Sequence, residues 1–401
     1  MKKVFFLILI IAFSCTKKDV FEGSKQIIIN PIAKCESGFA GEYPCNDYDL
    51  LTHIPLDQLG GTAGNDCWGW VDPSTSKEYA IMCTNQGTTF VDISDPANAI
   101  VLGTLNTKTV SSLWRDVKVR NGVAYIVSEA TDHGMQIFNL AQLRNISNPP
   151  ITFTEDAFYD GFGSAHNIVI NEQSGFAYAV GTNTFSGGPH FVDINIPFQP
   201  KEAGGYAEGN YSHDAQVVTY KGPDTDYTDK EILIGSNETE VVIVDVTDKA
   251  NPVKISSIAY PNIGYTHQGW FTEDFKYFLL GDELDERDKG VNTRTIVFDF
   301  TDLDDPKYHF DYEGSTSAID HNGYVKGNLF YQANYTNGVR IVDISNIDNK
   351  SFTEVGFFDT YPENNNTRFD GAWNVYPYLP SGNIIISDIN RGLFVIRKSK
   401  S

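Results

Sequence analysis

Methionine is nearly missing from this chain, with 3 in 401 residues, and cysteine stops at 5. So few sulfurs exclude a cysteine-dense disulfide scaffold, and without a CxxC pair neither a redox motif nor a zinc ribbon is readable. Cationic side chains are also scarce: 30 Lys and Arg stand against 52 Asp and Glu, a formal net charge of −22. That balance excludes nucleic acid as a partner, because phosphate recognition needs clustered cations. It also repels anionic lipid surfaces. A cation or a basic partner suits such a surface, when the charge is more than a solubility device. Beyond the N-terminus no apolar run approaches the length of a membrane span. Sustained helical periodicity is lacking, and so are a GxSxG elbow, a phosphate-binding glycine loop and HExxH. An enzyme reading therefore has no motif to rest on.

What the chain does have is 41 % hydrophobic and 13 % aromatic residues with 34 glycines. That composition is globular and leans towards an all-β fold. The first residues, MKKVFFLILIIAFSC, place two lysines and an apolar run ahead of Cys15, the pattern of a secretion signal. A Cys directly after the apolar run resembles a bacterial lipobox, with Ala12 standing where Leu is more usual. The expectation is a signal peptide over 1–15, lipidation of Cys15 as the mature start, and a polar tether over 16–46. The protein is then expected in the cell envelope, lipid-anchored at the outer membrane or cell surface and facing the periplasm or exterior.

The other four cysteines suit structural bridges in an oxidising compartment. Cys35 and Cys45 bracket a short glycine-containing loop. Cys67 and Cys83 each lie eight residues from Thr75, so a hairpin about the DPSTSKE turn is expected to set them opposite each other for a disulfide.

An internal repeat dominates the rest. Apolar strands ending in Val-Asp or a variant recur at Asp92, Asn139, Asp193, Asp245, Asp299 and Asp343, with a seventh, GLFVIR, at 392–397. Each follows a second apolar strand and an opening segment such as HNIVI, HDAQV, HQGWF or HNGYV. Short strands in units of about 50 residues match β-propeller blades. The last unit lacks its fourth strand, and DYDLLTHIPL (47–56) precedes the first opening strand. That segment can close the last blade and remove an open sheet edge. The reading is a seven-bladed β-propeller over 47–398, expected as a monomer. A six-bladed ring with one degenerate unit is the less economical alternative.

Together GNDCWGWVDPSTSKEYAIMCTNQGTTFVDISDP, AHNIVINEQSGFAYAVGTN, YTHQGWFTEDFKYFLLGDELDE, EVVIVDVTDKANPVKI and RFDGAWNVYPYLPSGNIIISDINRGLFVIR resemble the choice-of-anchor B family, built of LVIVD-type propeller repeats. The resemblance covers nearly everything after Asp47. It implies export and attachment to the cell envelope, and it carries no catalytic residue over to this chain.

Four of the 8 histidines, His166, His213, His267 and His321, open the inner strands of consecutive units. In a propeller those starts surround one mouth of the central channel. Asn65, Arg115 and Asp370 take the matching places in the other units, and Asp116 and Asp214 follow the opening residue. Loops on that face add Glu129, Asp282 and Glu283. Imidazoles with carboxylates suit zinc or iron, and carboxylates alone suit calcium. Two readings stand side by side. In one, each His staples strand to loop inside its own blade. In the other, the His arc with Asp116, Asp214, Asp282, Glu283 and Asp370 binds a divalent metal or another ligand. The repeat-position Asp residues are expected to cap turns, and Trp68, Trp70, Trp114, Trp270 and Trp373 to pack between blades. The functional expectation is a binding or scaffold module for a protein or glycan. The alternative is a metal-dependent hydrolase or lyase at the channel mouth.

Overall fold

The computed structural model describes residues 32–400. The expected signal segment, Cys15 and the first half of the tether lie outside them. No helix among the described residues is long and apolar enough to cross a membrane. Seven sheets of four to six strands are arranged as the blades of a β-propeller. Their inner strands begin at Gly64, Arg115, Asn167, Asp214, Thr266, Gly323 and Ala372, in blades 1 to 7. Each inner strand touches the next around the channel, and that of blade 7 touches that of blade 1.

The repeated sequence explains the repeated strand. In blade 4, Val241–Asp245 is buried along almost its whole length, because a third strand has a neighbouring blade on each face and needs apolar, β-branched side chains on both. The outer strand Val253–Ile258 is only half-covered and carries Lys and Ser. Seven apolar clusters fill the seven gaps between blades; one, with Leu51, Ile54, Cys67, Met82, Ile385 and Val395, joins blade 7 to blade 1. The Val-Asp carboxylates end the third strands by accepting the backbone N–H two residues on. Asp92 to Ser94, Asp193 to Asn195, Asp245 to Thr247, Asp299 to Thr301 and Asp343 to Ser345 repeat the same turn.

The N-terminal strand Tyr48–Ile54 pairs antiparallel with Gly392–Lys398 and completes blade 7. Just ahead of it, Tyr43–Asn46 pairs with the outer strand Thr353–Phe358 of blade 6. Part of the expected tether is thus an extra strand, and the Cys35–Cys45 disulfide closes its loop. In blade 2 the chain first adds Ile151–Phe153 in parallel to blade 1, then returns as the short outer strand Ala157–Tyr159.

The expected Cys67–Cys83 bridge is corrected: both thiols are unbridged and buried. Asp72 donates its N–H to Lys77, so the turn holds 73–76 and the register pairs Cys67 with Met82 rather than Cys83. A slip of one residue sends a side chain to the opposite sheet face. Cys67 therefore packs towards blade 7 and Cys83 towards blade 2.

Candidate functional site

Three of the crown histidines enter the ring by the same backbone contact. The N–H groups of His166, His213 and His321 donate to Val180, Ser236 and Ala333 at the end of the neighbouring second strand. His267 stands on a β-bulge between Thr266 and Gln268. The rings then follow one another around the mouth, with centroids 4.1 Å apart for His166 and His213, 4.4 Å for His213 and His267, and 4.4 Å for His267 and His321.

Hydrogen bonding fixes how those rings are presented. His213 Nδ1 donates to the backbone carbonyl of His267, in the next blade, at 3.3 Å. His321 Nδ1 donates to the carbonyl of Trp373 at 2.5 Å, and His166 Nδ1 to Glu129 Oε1 at 2.5 Å. A carbonyl or carboxylate can only accept, so each of these Nδ1 atoms carries a proton, and in a neutral ring the Nε2 then keeps a lone pair. His267 faces the His321 backbone in the same register, yet its Nδ1 is buried with no hydrogen-bond partner. Burial, reinforced by neighbouring histidines, lowers the proton affinity of three of these rings: His213 falls well below the usual range, and His267 and His321 drop to about 3. These imidazoles are neutral at pH 7. The arc thus staples blade to blade, not within a blade, and still leaves its Nε2 edges open.

Glu283 comes to this arc from blade 5. Asp282 accepts the N–H groups of Gly264 and Tyr265 and the hydroxyl of Tyr260, which knots the loop in place. One turn of helix, Asp285–Lys289, follows and ends at Gly290 with φ 70°, a left-handed cap that glycine adopts without strain. Glu283 Oε1 accepts the Tyr335 hydroxyl at 2.7 Å. Its carboxylate lies 3.7 Å from His267 Nε2 through Oε2, and 3.7 Å from His321 Nε2 through Oε1. Above this floor is a cavity of about 310 Å³ whose walls include Asn65, Leu113, Trp114, Phe369 and Trp373. Leu113, Trp114 and Phe369 are each more than 40 % exposed and form an apolar collar.

The other sequence candidates sit elsewhere. Asp116 and Asp214 lie one residue deeper in the channel. Asp116 accepts the N–H of Ile168 in blade 3 and holds Lys118 at 2.6 Å; Asp66 holds the same Lys118 at 3.2 Å. Gln268 exchanges two hydrogen bonds with Gly323, and Asn374 donates to Cys67 across the closure. This second polar ring sews adjacent inner strands together. Asp214 is pushed up to about 7, first by burial and then by Asp116. Asp282 is the loop knot described above. Asp370 lies outside the cavity lining and accepts from Asn390. Trp373 takes the crown position, on a bulge like that of His267. Alignment on the amide that follows, as in His267-Gln268, His321-Asn322 and Trp373-Asn374, would have found it. Arg115 turns away from the mouth to Thr84 and His133 between blades.

Trp114 and Trp373 are thus corrected from core packing to mouth lining. Trp68 and Trp270 line a second cavity of about 510 Å³ at the opposite mouth, with Tyr376, Tyr378 and Phe275. Trp70 does pack inside, stacked on Tyr79.

A family model for the LVIVD repeat matches residues 74–107 and 322–360. The LVIVD-repeat character expected from the sequence is therefore present, in blades 1 and 6, and is consistent with choice-of-anchor B, which the match does not name. No curated protein matches the chain. Among solved structures, a hydrazine synthase chain from Kuenenia stuttgartiensis is similar, with TM-score 0.59 and 13 % identity over 87 % of this chain and 99 % of that one. A protein from Lactobacillus plantarum aligns with TM-score 0.54 and 12 % identity over 76 % of this chain and 85 % of the other. At such identities the likeness concerns the fold alone.

Proposed function

We propose that this LVIVD-repeat propeller is an envelope-anchored binding module that receives a cationic group at its histidine-lined mouth. One observation carries the reading: the floor offers acceptors and almost no donors. The Nδ1 protons of His166, His213 and His321 are spent on Glu129 and two carbonyls, the Tyr335 hydroxyl is spent on Glu283, and Asn65 Nδ2 on Gly64 and Leu113, while Asn65 Oδ1 has no partner. An anion would meet lone pairs and a carboxylate there, whereas a cation would satisfy them. The net charge of −22 favours the same encounter at long range. The cavity, about 310 Å³, lies at the lower end of the roughly 300–1,000 Å³ of small-molecule sites. It suits a small cation, or one basic side chain or amino sugar of a protein or glycan partner, with its apolar part against Trp114 and Phe369. Anchoring rests on the N-terminal sequence, with Cys15 as the lipid-bearing residue.

Benzylammonium is a suitable probe, because Trp114 and Trp373 report on the mouth by fluorescence. Saturable one-to-one binding is expected, weakened by salt and lost in Glu283→Gln. Absence of binding, or binding indifferent to Glu283→Gln and Trp114→Ala, overturns the site. For the anchor, Cys15→Ser is expected to leave the membrane fraction or stay unprocessed; unchanged fractionation and lipid labelling would remove that part of the proposal.

A further inference from the structure

We infer that His213, His267 and Glu283 form a three-ligand site for a divalent transition metal, of which zinc is the natural probe. The inference rests on the cation-binding reading of the mouth and specifies the cation. One donor atom from each of the three residues lies within 4.8 Å of the other two. Metal–ligand bonds of about 2.0–2.2 Å hold adjacent donors roughly 3–3.5 Å apart. The 3.7 Å between His267 Nε2 and Glu283 Oε2 closes with side-chain shifts of a few tenths of an ångström, and the His213 donor, farther from Glu283 but within 4.8 Å, has to move by about 1 Å to reach the same metal.

The surroundings are those of a supported site. A metal-bound imidazole commonly donates its other N–H to a carbonyl or carboxylate, and a bound carboxylate is itself hydrogen-bonded. His213 meets the first condition through the His267 carbonyl, and Glu283 the second through Tyr335, which leaves Oε2 free, whereas the Nδ1 of His267 has no partner. Both histidines are buried at 5 % exposure or less, so a metal would displace little water from them. Two nitrogens and one oxygen match zinc and its first-row neighbours rather than calcium, which takes oxygen ligands. The site differs in kind from the cluster of Asp224, Asp302 and Asp304. Those acids are more exposed, and they already accept from Leu303 and Tyr227. With three protein ligands, the fourth position faces the cavity and is open to water or to a donor atom of a ligand held by the collar.

The test uses full-length protein stripped with chelator and titrated with Zn²⁺, followed by metal analysis and Co²⁺ absorption. One metal per chain is expected, with affinity at least tenfold weaker in His213→Ala, His267→Ala and Glu283→Gln. Tyr335→Phe should weaken it by about 10–100-fold, the usual effect of removing a group that orients a ligand. His309→Ala, remote from the mouth, should not change it. Glu283→Gln keeps side-chain shape and serves if a histidine variant fails to fold. Absence of stoichiometric Zn²⁺, or binding unaffected by the three ligand variants, overturns the metal site. If benzylammonium still saturates the mouth in that case, only the metal assignment falls; if neither binds, the cation-binding reading falls with it.

Discussion

Lys118 is buried in the channel between Asp66 and Asp116, with its ammonium also 4.7 Å from the Trp68 ring. Burial opposes its charge, but the two carboxylates hold its proton affinity well above the ordinary range. Asp116 stays below the usual carboxylate range despite burial, through Lys118 and the Ile168 N–H, while burial pushes Asp66 up. Lys118→Met keeps the volume and strands two buried acids, a loss of about 3–5 kcal/mol by analogy with broken buried ion pairs. Urea unfolding measures it, and Asp66→Asn added to Lys118→Met should recover part of the loss. Nothing in the local sequence around Lys118 announces this role, since its partners come from two blades. The histidines were legible because repetition put them at one position of the unit. Their stapling between blades was not, because it depends on which acceptor a neighbouring blade brings to the Nδ1 of His166, His213 and His321.

Strand identity and order were readable from alternating apolar runs, Val-Asp endings and turn residues, including the closure of blade 7 by Tyr48–Ile54. Register was not. One extra turn residue separates the expected Cys67–Cys83 pairing from the observed Cys67–Met82 pairing, and in blade 7, where the opening strand carries a bulge, the mouth position falls to Trp373, three residues beyond the expected Asp370. Burial drives both thiols up in pKa, Cys83 beyond the reach of ordinary titration, so neither should act as a thiolate. The measurement is labelling with a thiol reagent. No modification of Cys67 or Cys83 is expected in the native protein, and full modification in denaturant. Identical masses with and without reductant before denaturant labelling at these two positions would confirm separate thiols; a bridge between them would refute the register.

The ring as a whole sets two groups of titrations against each other. Asp214 is raised to about 7, and Asp359 and Asp388 each to about 6, with burial the first cause throughout. A carboxyl raised on folding contributes stability below its unfolded value, near 3.8, that is lost as pH rises through the folded value. His213, His267 and His321 act oppositely: with folded values below 6.5, they cost stability as pH falls beneath that point. The two trends offset between about pH 4.5 and 6.5. Melting temperature is expected to stay level there and to decline by pH 8, where buried acids ionise without gain from the histidines. Melts across that range check it, and a maximum at pH 8 would contradict it. The path of the N-terminal chain has a mechanical consequence. Tension entering ahead of Cys35 crosses the covalent link to Cys45, whose strand is docked on blade 6, while the next strand is sealed into blade 7. A pull on that end is shared by two blades instead of unzipping one, so a ring held by its N-terminus would resist being peeled open by the force on its own leash.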